Sequence, residues 1–232
     1  MIRRRGDPPR RAGCVRWLER LQWGSAYGSA GRAPCDDGLA MSAPAGRPYV
    51  FFFGSVLAAI SGCGTGGRSM KTVLIVYHTV TGGSEQMARA AAAGAAREPE
   101  VRVCLEAAAE TGPQALLDAH GYLFVCPENL AAISGLMKDF FDRSYYAVLE
   151  RIQGRPYASA ICAGSDGTNA ARQIERIATG WRLSEIAPPL IVCTHAQTPE
   201  EILSPKRIGA SELARCEELG ATLAAGLALG IF

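Results

Sequence analysis

Residues 78–84 carry side chains suited to holding a phosphate group. They follow an apolar run that ends at Tyr77, and a helical pattern begins directly after them. Backbone N–H groups at a helix N-terminus bind phosphate, Ser and Thr hydroxyls add donors, and glycine lets the main chain approach closely. The predicted phosphate loop therefore combines imidazole, hydroxyl and glycine residues with one valine: His78, Thr79, Val80, Thr81, Gly82, Gly83 and Ser84.

The phosphate loop lacks the marks of two common nucleotide-binding motifs. It contains no lysine and no arginine, whereas the G-x-x-x-x-G-K-[ST] motif of nucleotide triphosphatases needs a lysine near its end. The G-x-G-x-x-G motif of dinucleotide-binding folds is also missing here. The alternative interpretation is an ordinary strand-to-helix turn in which the side chain of Thr81 or Ser84 caps the helix.

Two further loops place small and polar residues directly after apolar runs. Glycines in the third loop allow a ligand to approach the backbone, and the side chains of Ser165 and Asp166 can hydrogen-bond to ligand hydroxyls. The alternative for this loop is a tight turn with Asp166 or Thr168 as the helix N-cap. The candidate ligand-binding residues are Pro127, Glu128, Asn129 and Leu130 in the second loop (127–134) and Gly164, Ser165, Asp166 and Gly167 in the third loop (164–168).

Five apolar runs rich in β-branched residues predict strands that are buried on both faces of a parallel sheet. Between and after them, apolar residues repeat at three- and four-residue spacing, which predicts helices. The predicted strands are 73–77, 101–105, 121–126, 157–163 and 190–194, and the predicted helices are 83–97, 133–148, 170–180 and 213–227, with a short helix or turn at 114–119.

This alternation predicts an α/β fold with a doubly wound five-stranded parallel sheet and helices on both faces. In such sheets, ligands bind beyond the carboxyl ends of the strands, near the point where the strand order reverses. All three loops follow strands, so we expect them to meet at one edge of the sheet.

Two of these loops resemble motifs of the flavodoxin-like family. The segment from Thr79 to Ser84 is similar to the [ST]-x-T-G-x-[ST] phosphate loop of flavodoxins. The segment from Cys126 to Arg143 resembles the flavin loop and following helix of NAD(P)H-dependent FMN reductases and flavodoxin-like quinone reductases. The positions that match this second pattern are Pro127, Glu128, Gly135, Met137, Lys138 and Asp142.

The resemblance implies the strand order 2-1-3-4-5 and FMN as the cofactor. Residues 78–84 would hold its phosphate, Pro127 to Leu130 would lie along the edge of the isoalloxazine ring, and Gly164 to Gly167 would lie beside the ribityl chain. NAD(P)H would be the co-substrate, and a quinone or similar small molecule would accept the electrons. The flavin carries this chemistry, so no residue is assigned a catalytic role. Homo-oligomers are common in these families, which implies one here.

Two departures from flavodoxins favour the reductase over a pure electron carrier. Such carriers are strongly acidic and flank the ring with aromatic residues, whereas residues 70–232 contain 18 acidic against 14 basic residues, and neither the second nor the third loop contains Trp or Tyr. Two alternatives stay open at this point. One is a flavodoxin-type FMN carrier without nicotinamide activity, and the other is a flavin-free interaction module.

Residues 1–69 differ in composition from the rest of the chain. They hold ten of the 24 basic residues but only four of the 22 acidic ones, and they show no sustained helical or strand period. We expect residues 1–69 to be a disordered extension or an upstream reading frame included by mistake, before a domain that begins at Met70 and extends over 70–232. The alternative is a lipoprotein signal over 47–63, with Met41 as the start and Cys63 as the lipidated residue.

Four cysteines, Cys104, Cys126, Cys162 and Cys193, fall near the carboxyl ends of predicted strands. Their wide spacing fits no metal-binding motif, so we expect buried free thiols and no metal site. Free thiols indicate a reducing compartment, which predicts a cytoplasmic protein. The near balance of basic and acidic residues gives no sign of a nucleic-acid partner.

Overall fold

The computed structural model describes residues 70–232, in which seven strands and six helices follow one another. The predicted extension 1–69 and the possible signal segment 47–63 lie outside the described residues. The strands are β1 (Lys71–Tyr77), β2 (Val101–Ala107), β3 (Gly121–Asn129), β4 (Ala132–Ile133), β5 (Pro156–Ala163), β6 (Ser184–Glu185) and β7 (Leu190–Cys193), and the helices are α1 (Gly83–Ala95), α2 (Pro113–Asp118), α3 (Gly135–Val148), α4 (Thr168–Gly180), α5 (Pro199–Leu203) and α6 (Ala210–Leu229).

The five longer strands form a parallel sheet in the order β2-β1-β3-β5-β7. This order confirms the predicted doubly wound topology, since β1, β2, β3, β5 and β7 correspond to the five predicted strands. All eight residues of β5 are buried, as are five of the seven in β1, as continuous apolar runs predict for strands covered on both faces.

Two strands of two residues each were not predicted. β6 extends the sheet beside the start of β5, and β4 pairs antiparallel with the end of β3. The prediction that the third strand ends at Cys126 and that 127–134 is an open loop was therefore wrong. β3 continues to Asn129 and turns back through Leu130 and Ala131, so this loop is largely a β-hairpin.

Helices cover both faces of the sheet with different packing. Below one face, α2, α3 and α4 surround an aromatic cluster in which the Phe124 ring contacts Phe141 at 5.1 Å between centroids and Trp181 at 6.5 Å. On the other face, α1 and α6 pack through small residues, among them Ala91 and Gly220. No helix within residues 70–232 is both long enough and apolar enough to span a membrane.

Candidate functional site

The three predicted loops meet at the carboxyl edge of the sheet. Two adjoining cavities, of about 200 Å³ and about 470 Å³, lie between them and share Glu128, Asn129, Gly164, Ala196 and Ile202 in their walls. We call the smaller one the inner cavity and the larger one the outer cleft. The inner cavity reaches Val80 and Thr81 of the phosphate loop, so one continuous site joins the ends of β1, β3 and β5.

The phosphate loop exposes backbone donors without help from a capping side chain. Gly82 precedes α1 with a φ of 84°, a conformation that glycine adopts without strain, and no side chain caps the helix. The Thr79 hydroxyl accepts a hydrogen bond from the Gly82 amide at 3.0 Å, which stabilises the turn. The amides of Val80 and Thr81 have no acceptor within the described chain. The alternative prediction of a Thr81 or Ser84 cap was therefore wrong.

Gly83 allows the loop to lie directly on its neighbours. A Cβ atom at this position would stand 2.7 Å from the Cys162 sulfur and 3.3 Å from Lys206 Cβ. We therefore expect Gly83→Ala to lower the free energy of unfolding by about 1–3 kcal/mol, because the packed neighbours must shift. Urea denaturation measures this loss. Gly135→Ala, also at the first residue of a helix but with no atom within 4 Å of the new Cβ, is the control and should change stability little.

The hairpin in the second loop forms one wall of the outer cleft. Leu130 and Ala131 have φ values of 50° and 59°, so both central residues of the two-residue turn are left-handed, as in a type I′ turn. Such turns normally contain Asn or Gly, and the sequence therefore gave no hairpin signal. The Leu130 side chain is fully exposed at the tip and lines the cleft.

Glu128 joins the second loop to the third. One carboxylate oxygen accepts a hydrogen bond from the Gly167 amide at 2.9 Å, and the other is buried without a partner. Gly167 stands before α4 with a φ of 81° and no side-chain cap. The alternative of an Asp166 or Thr168 cap was therefore wrong. The Asp166 carboxylate accepts a hydrogen bond from the Thr168 hydroxyl instead.

A fourth wall of the site comes from residues 194–209, the connector between β7 and α6. Its short helix α5 begins with a capping box in which Thr198 and Glu201 exchange hydrogen bonds, both at 3.2 Å. Backbone N–H groups of Gln197 and Thr198 lower the pKa of the Glu201 carboxyl. The exposed side chains of Ile202 and Leu203 line the inner cavity. The sequence analysis missed this wall because a five-residue helix has too few apolar positions to show a period.

The connector is fastened to the phosphate loop by a dense set of hydrogen bonds. The Lys206 amide donates to the Thr81 carbonyl at 2.8 Å. The Gln86 amide nitrogen donates to the Gly82 carbonyl at 2.9 Å and to the Lys206 carbonyl at 2.7 Å, and its oxygen accepts from the Ile208 amide at 3.2 Å. Gln86 thereby fixes both segments in one arrangement.

The predicted residues divide into those that line the site and those that support it. Eight reach the two cavities: Val80, Thr81, Pro127, Glu128, Asn129, Leu130, Gly164 and Ser165. The other seven line neither cavity: His78, Thr79, Gly82, Gly83, Ser84, Asp166 and Gly167. Among these, partial burial lowers the pKa of His78, whose ring nitrogen Nδ1 has no partner.

The four predicted cysteines are all free, but only two are fully buried. Cys126 and Cys162 are buried, whereas Cys104 and Cys193 are half-buried. Burial raises the pKa of the Cys126 thiol to about 12, so it is protonated at neutral pH. Burial also raises the pKa of Cys162, against smaller lowering effects of the Ser84 hydroxyl and the Lys206 ammonium group. The Ser84 hydroxyl lies near this thiol without a well-formed hydrogen bond.

Three of the four matching residues on α3, namely Gly135, Lys138 and Asp142, have structural roles. Gly135 is the first residue of the helix, and the Lys138 ammonium forms an ion pair with the Asp142 carboxylate at 2.5 Å, one turn further on. Both groups are largely exposed, so the pair contributes little to stability.

Comparisons with known proteins agree with this architecture. The family model described as NADPH-dependent FMN reductase matches residues 98–197, which include β3, the hairpin and the third loop. The comparison with curated protein sequences gives no match.

Solved structures of flavodoxins have the same fold. A flavodoxin from the domain Archaea is 18% identical with a TM-score of 0.56, and the alignment covers 68% of this chain and 99% of that one. A flavodoxin, WrbA-like protein from Agrobacterium tumefaciens is 18% identical with a TM-score of 0.53, over 67% and 96%. Oxidised Flavodoxin 1 from Bacillus cereus is 16% identical with a TM-score of 0.54, over 67% and 98%. Together with the parallel strand order, these similarities show that residues 70–232 have a flavodoxin-like fold.

Proposed function

We propose that the protein is an FMN-binding oxidoreductase that takes electrons from NAD(P)H and passes them to a quinone or a similar small acceptor. The observation that carries this proposal is the convergence of three loops on one continuous site, with free backbone donors at its phosphate end. The match to the FMN reductase family over residues 98–197 supports the same cofactor.

The site fits FMN in size and in chemistry. The inner cavity of about 200 Å³ is smaller than the ~300–1,000 Å³ typical of ligand pockets, but it opens into the outer cleft of about 470 Å³. The phosphate would bind to the amides of Val80 and Thr81, and the ribityl chain would pass through the inner cavity. The ring would then lie in the outer cleft beside the hairpin.

A bound FMN would supply the redox chemistry by accepting hydride from a nicotinamide and giving electrons to an acceptor. The protein residues bind and orient it. The hairpin and the third loop offer backbone N–H and C=O groups to the polar edge of the ring. The aliphatic side chains of Ile202 and Leu203 give the inner cavity an apolar wall. No side chain is needed as an acid or base, and we assign none as catalytic.

The lining of the site favours a reductase over an electron carrier. None of the residues that line the two cavities within 70–232 is aromatic. No ring from the protein would then cover the flavin, and its face would stay accessible to a nicotinamide and, after that, to the acceptor. The flavodoxin structures that resemble this chain share its fold.

The first test is flavin retention by the full chain. We expect protein that is mixed with FMN and then desalted to keep an equimolar amount of flavin, measured by its visible absorbance, and to oxidise NADPH when a quinone is added. Retention of FMN without nicotinamide oxidation would instead indicate an electron carrier. A protein that keeps no flavin would contradict both redox functions and leave an interaction module.

Three further properties stay predictions. We expect a cytoplasmic location, from the free thiols, and a homo-oligomer, from the resemblance alone. We also expect no nucleic-acid partner, from the charge balance.

A further inference from the structure

Lys206 places a positively charged residue at the phosphate end of the site. It lies 120 residues after Gln86 of α1, whose side-chain amide donates a hydrogen bond to the Lys206 carbonyl. It lines the inner cavity together with Val80 and Thr81. Its backbone amide donates a hydrogen bond to the Thr81 carbonyl at 2.8 Å. Its Cβ atom would lie 3.3 Å from a Cβ atom at Gly83, so backbone and side chain both pack against the phosphate loop.

The charge of Lys206 acts on the Glu201 carboxyl, whose pKa it helps to lower, but the two groups form no ion pair. Its ammonium group donates to the carbonyls of Glu201, Ile202 and Ser204, which are neutral acceptors that cap the end of α5. Within residues 70–232, Lys206 belongs to no ion pair. Neutral carbonyls do not cancel the charge of the ammonium group, which can still attract an anion nearby.

The charge of Lys206 acts on a thiol that lines the inner cavity. Cys162 lines the same cavity, and the Lys206 ammonium counteracts part of the burial that raises the pKa of its thiol. The phosphate loop itself has no cationic side chain, so Lys206 is the cation that the described chain places against it.

We propose that Lys206, held in place by Gln86, is the cation whose charge stabilises the phosphate group of FMN. This inference rests on the proposed FMN site and adds a residue to it. The Val80 and Thr81 amides give the phosphate directed hydrogen bonds, and Lys206 gives it charge. The connector therefore completes the phosphate site rather than only covering it.

The test compares two ligands that differ in the phosphate alone. Dissociation constants for FMN and for riboflavin are measured by flavin fluorescence with the full chain and with Lys206→Met. We expect the variant to bind FMN about tenfold more weakly, as a partly screened charge pair predicts, and to bind riboflavin as the unaltered protein does. Lys206→Arg should restore most of the FMN affinity.

Arg207→Met is the matched control. Arg207 is the adjacent cation, and it is exposed. It lines a neighbouring cavity, which shares Thr194, Ala196 and Lys206 with the inner cavity, but it does not line the inner cavity itself. We expect its substitution to leave both affinities unchanged. Equal weakening by both substitutions would contradict a specific role of Lys206.

A merely structural role of Lys206 gives a different result. If the ammonium group only caps α5, Lys206→Met should move the Ile202 and Leu203 wall and weaken FMN and riboflavin equally, which would overturn the proposal. If that variant fails to fold, the salt dependence of flavin binding by the unaltered protein is the second test. We expect rising salt concentration to weaken FMN binding and to leave riboflavin binding unchanged, because salt screens the attraction between Lys206 and the phosphate. Equal salt dependence would overturn the proposal as well. A protein that binds neither flavin would refute the FMN site itself, which is a distinct result.

Discussion

Gly220→Ala is expected to lower the free energy of unfolding by about 3–4 kcal/mol, which is the largest loss of stability that we predict. A Cβ atom at this position would overlap the backbone carbonyl of Ala91 on α1. Gly94 on α1 faces the carbonyl of Glu217 on α6 in the same way. Backbone atoms cannot rotate aside as a flexible side chain can, so the two helices would have to separate.

This separation would expose the small apolar core between α1 and α6, which includes Ala88, Leu223 and Ala224. Since small domains are stable by only ~5–15 kcal/mol, the loss is a large part of the total. Urea denaturation measures the difference. Thr222→Ala is the control because Thr222 is exposed on the same helix, and it should change stability by less than ~0.5 kcal/mol. Equal midpoints for the two variants would contradict the close helix contact.

Glu128→Ala is expected to weaken flavin binding by about 10–100-fold, the largest functional effect that we predict. The substitution removes the carboxylate that accepts the Gly167 amide at 2.9 Å and so uncouples the hairpin from the third loop. A hydrogen bond to a charged group contributes ~1.5–3 kcal/mol to stability. If bound flavin must supply this free energy to order the two loops, its dissociation constant rises by about 10–100-fold.

Glu128→Gln separates the hydrogen bond from the charge. The amide oxygen can still accept from Gly167, so we expect FMN affinity within about threefold of the unaltered protein. Removal of a negative charge beside the ring should favour the reduced flavin and raise its reduction potential, which a redox titration measures.

Glu128→Ala should weaken FMN and riboflavin binding equally, because the hydrogen bond that it removes joins the hairpin to the third loop and does not involve the phosphate loop. Glu110→Gln, at an exposed glutamate outside both cavities, should change neither affinity nor potential. If Glu128→Ala binds both flavins normally, the carboxylate does not organise the site.

The elements of the fold follow from local patterns in the sequence. Continuous apolar runs such as residues 73–77 predicted strands buried on both faces, and the carboxyl ends of these strands placed the three loops at one edge. The burial of a strand and the apolar period of a helix depend on the types of residues that are close in sequence, so both can be predicted without knowledge of the rest of the chain. The same holds for the phosphate loop, where glycine and hydroxyl residues follow directly on a strand.

The second loop shows where local patterns were insufficient. Its hairpin places Leu130 and Ala131 in left-handed conformations that these residue types disfavour. Two contacts accompany this turn: the strand pairing of Glu128 with Ile133 and the hydrogen bond from the Gly167 amide to the Glu128 carboxylate. The local sequence predicts neither contact. The capping alternatives failed for a similar reason, because Gly82 and Gly167 begin their helices without a side-chain cap.

The sequence by itself determined the parallel sheet and the edge at which the three loops meet. Only the tertiary structure decided what closes the site. The phosphate loop lacks a cation in sequence, and Lys206 supplies one because Gln86 binds its carbonyl across 120 residues. Contacts of that separation depend on how α1 and the connector pack together, and no period or motif in either segment encodes them.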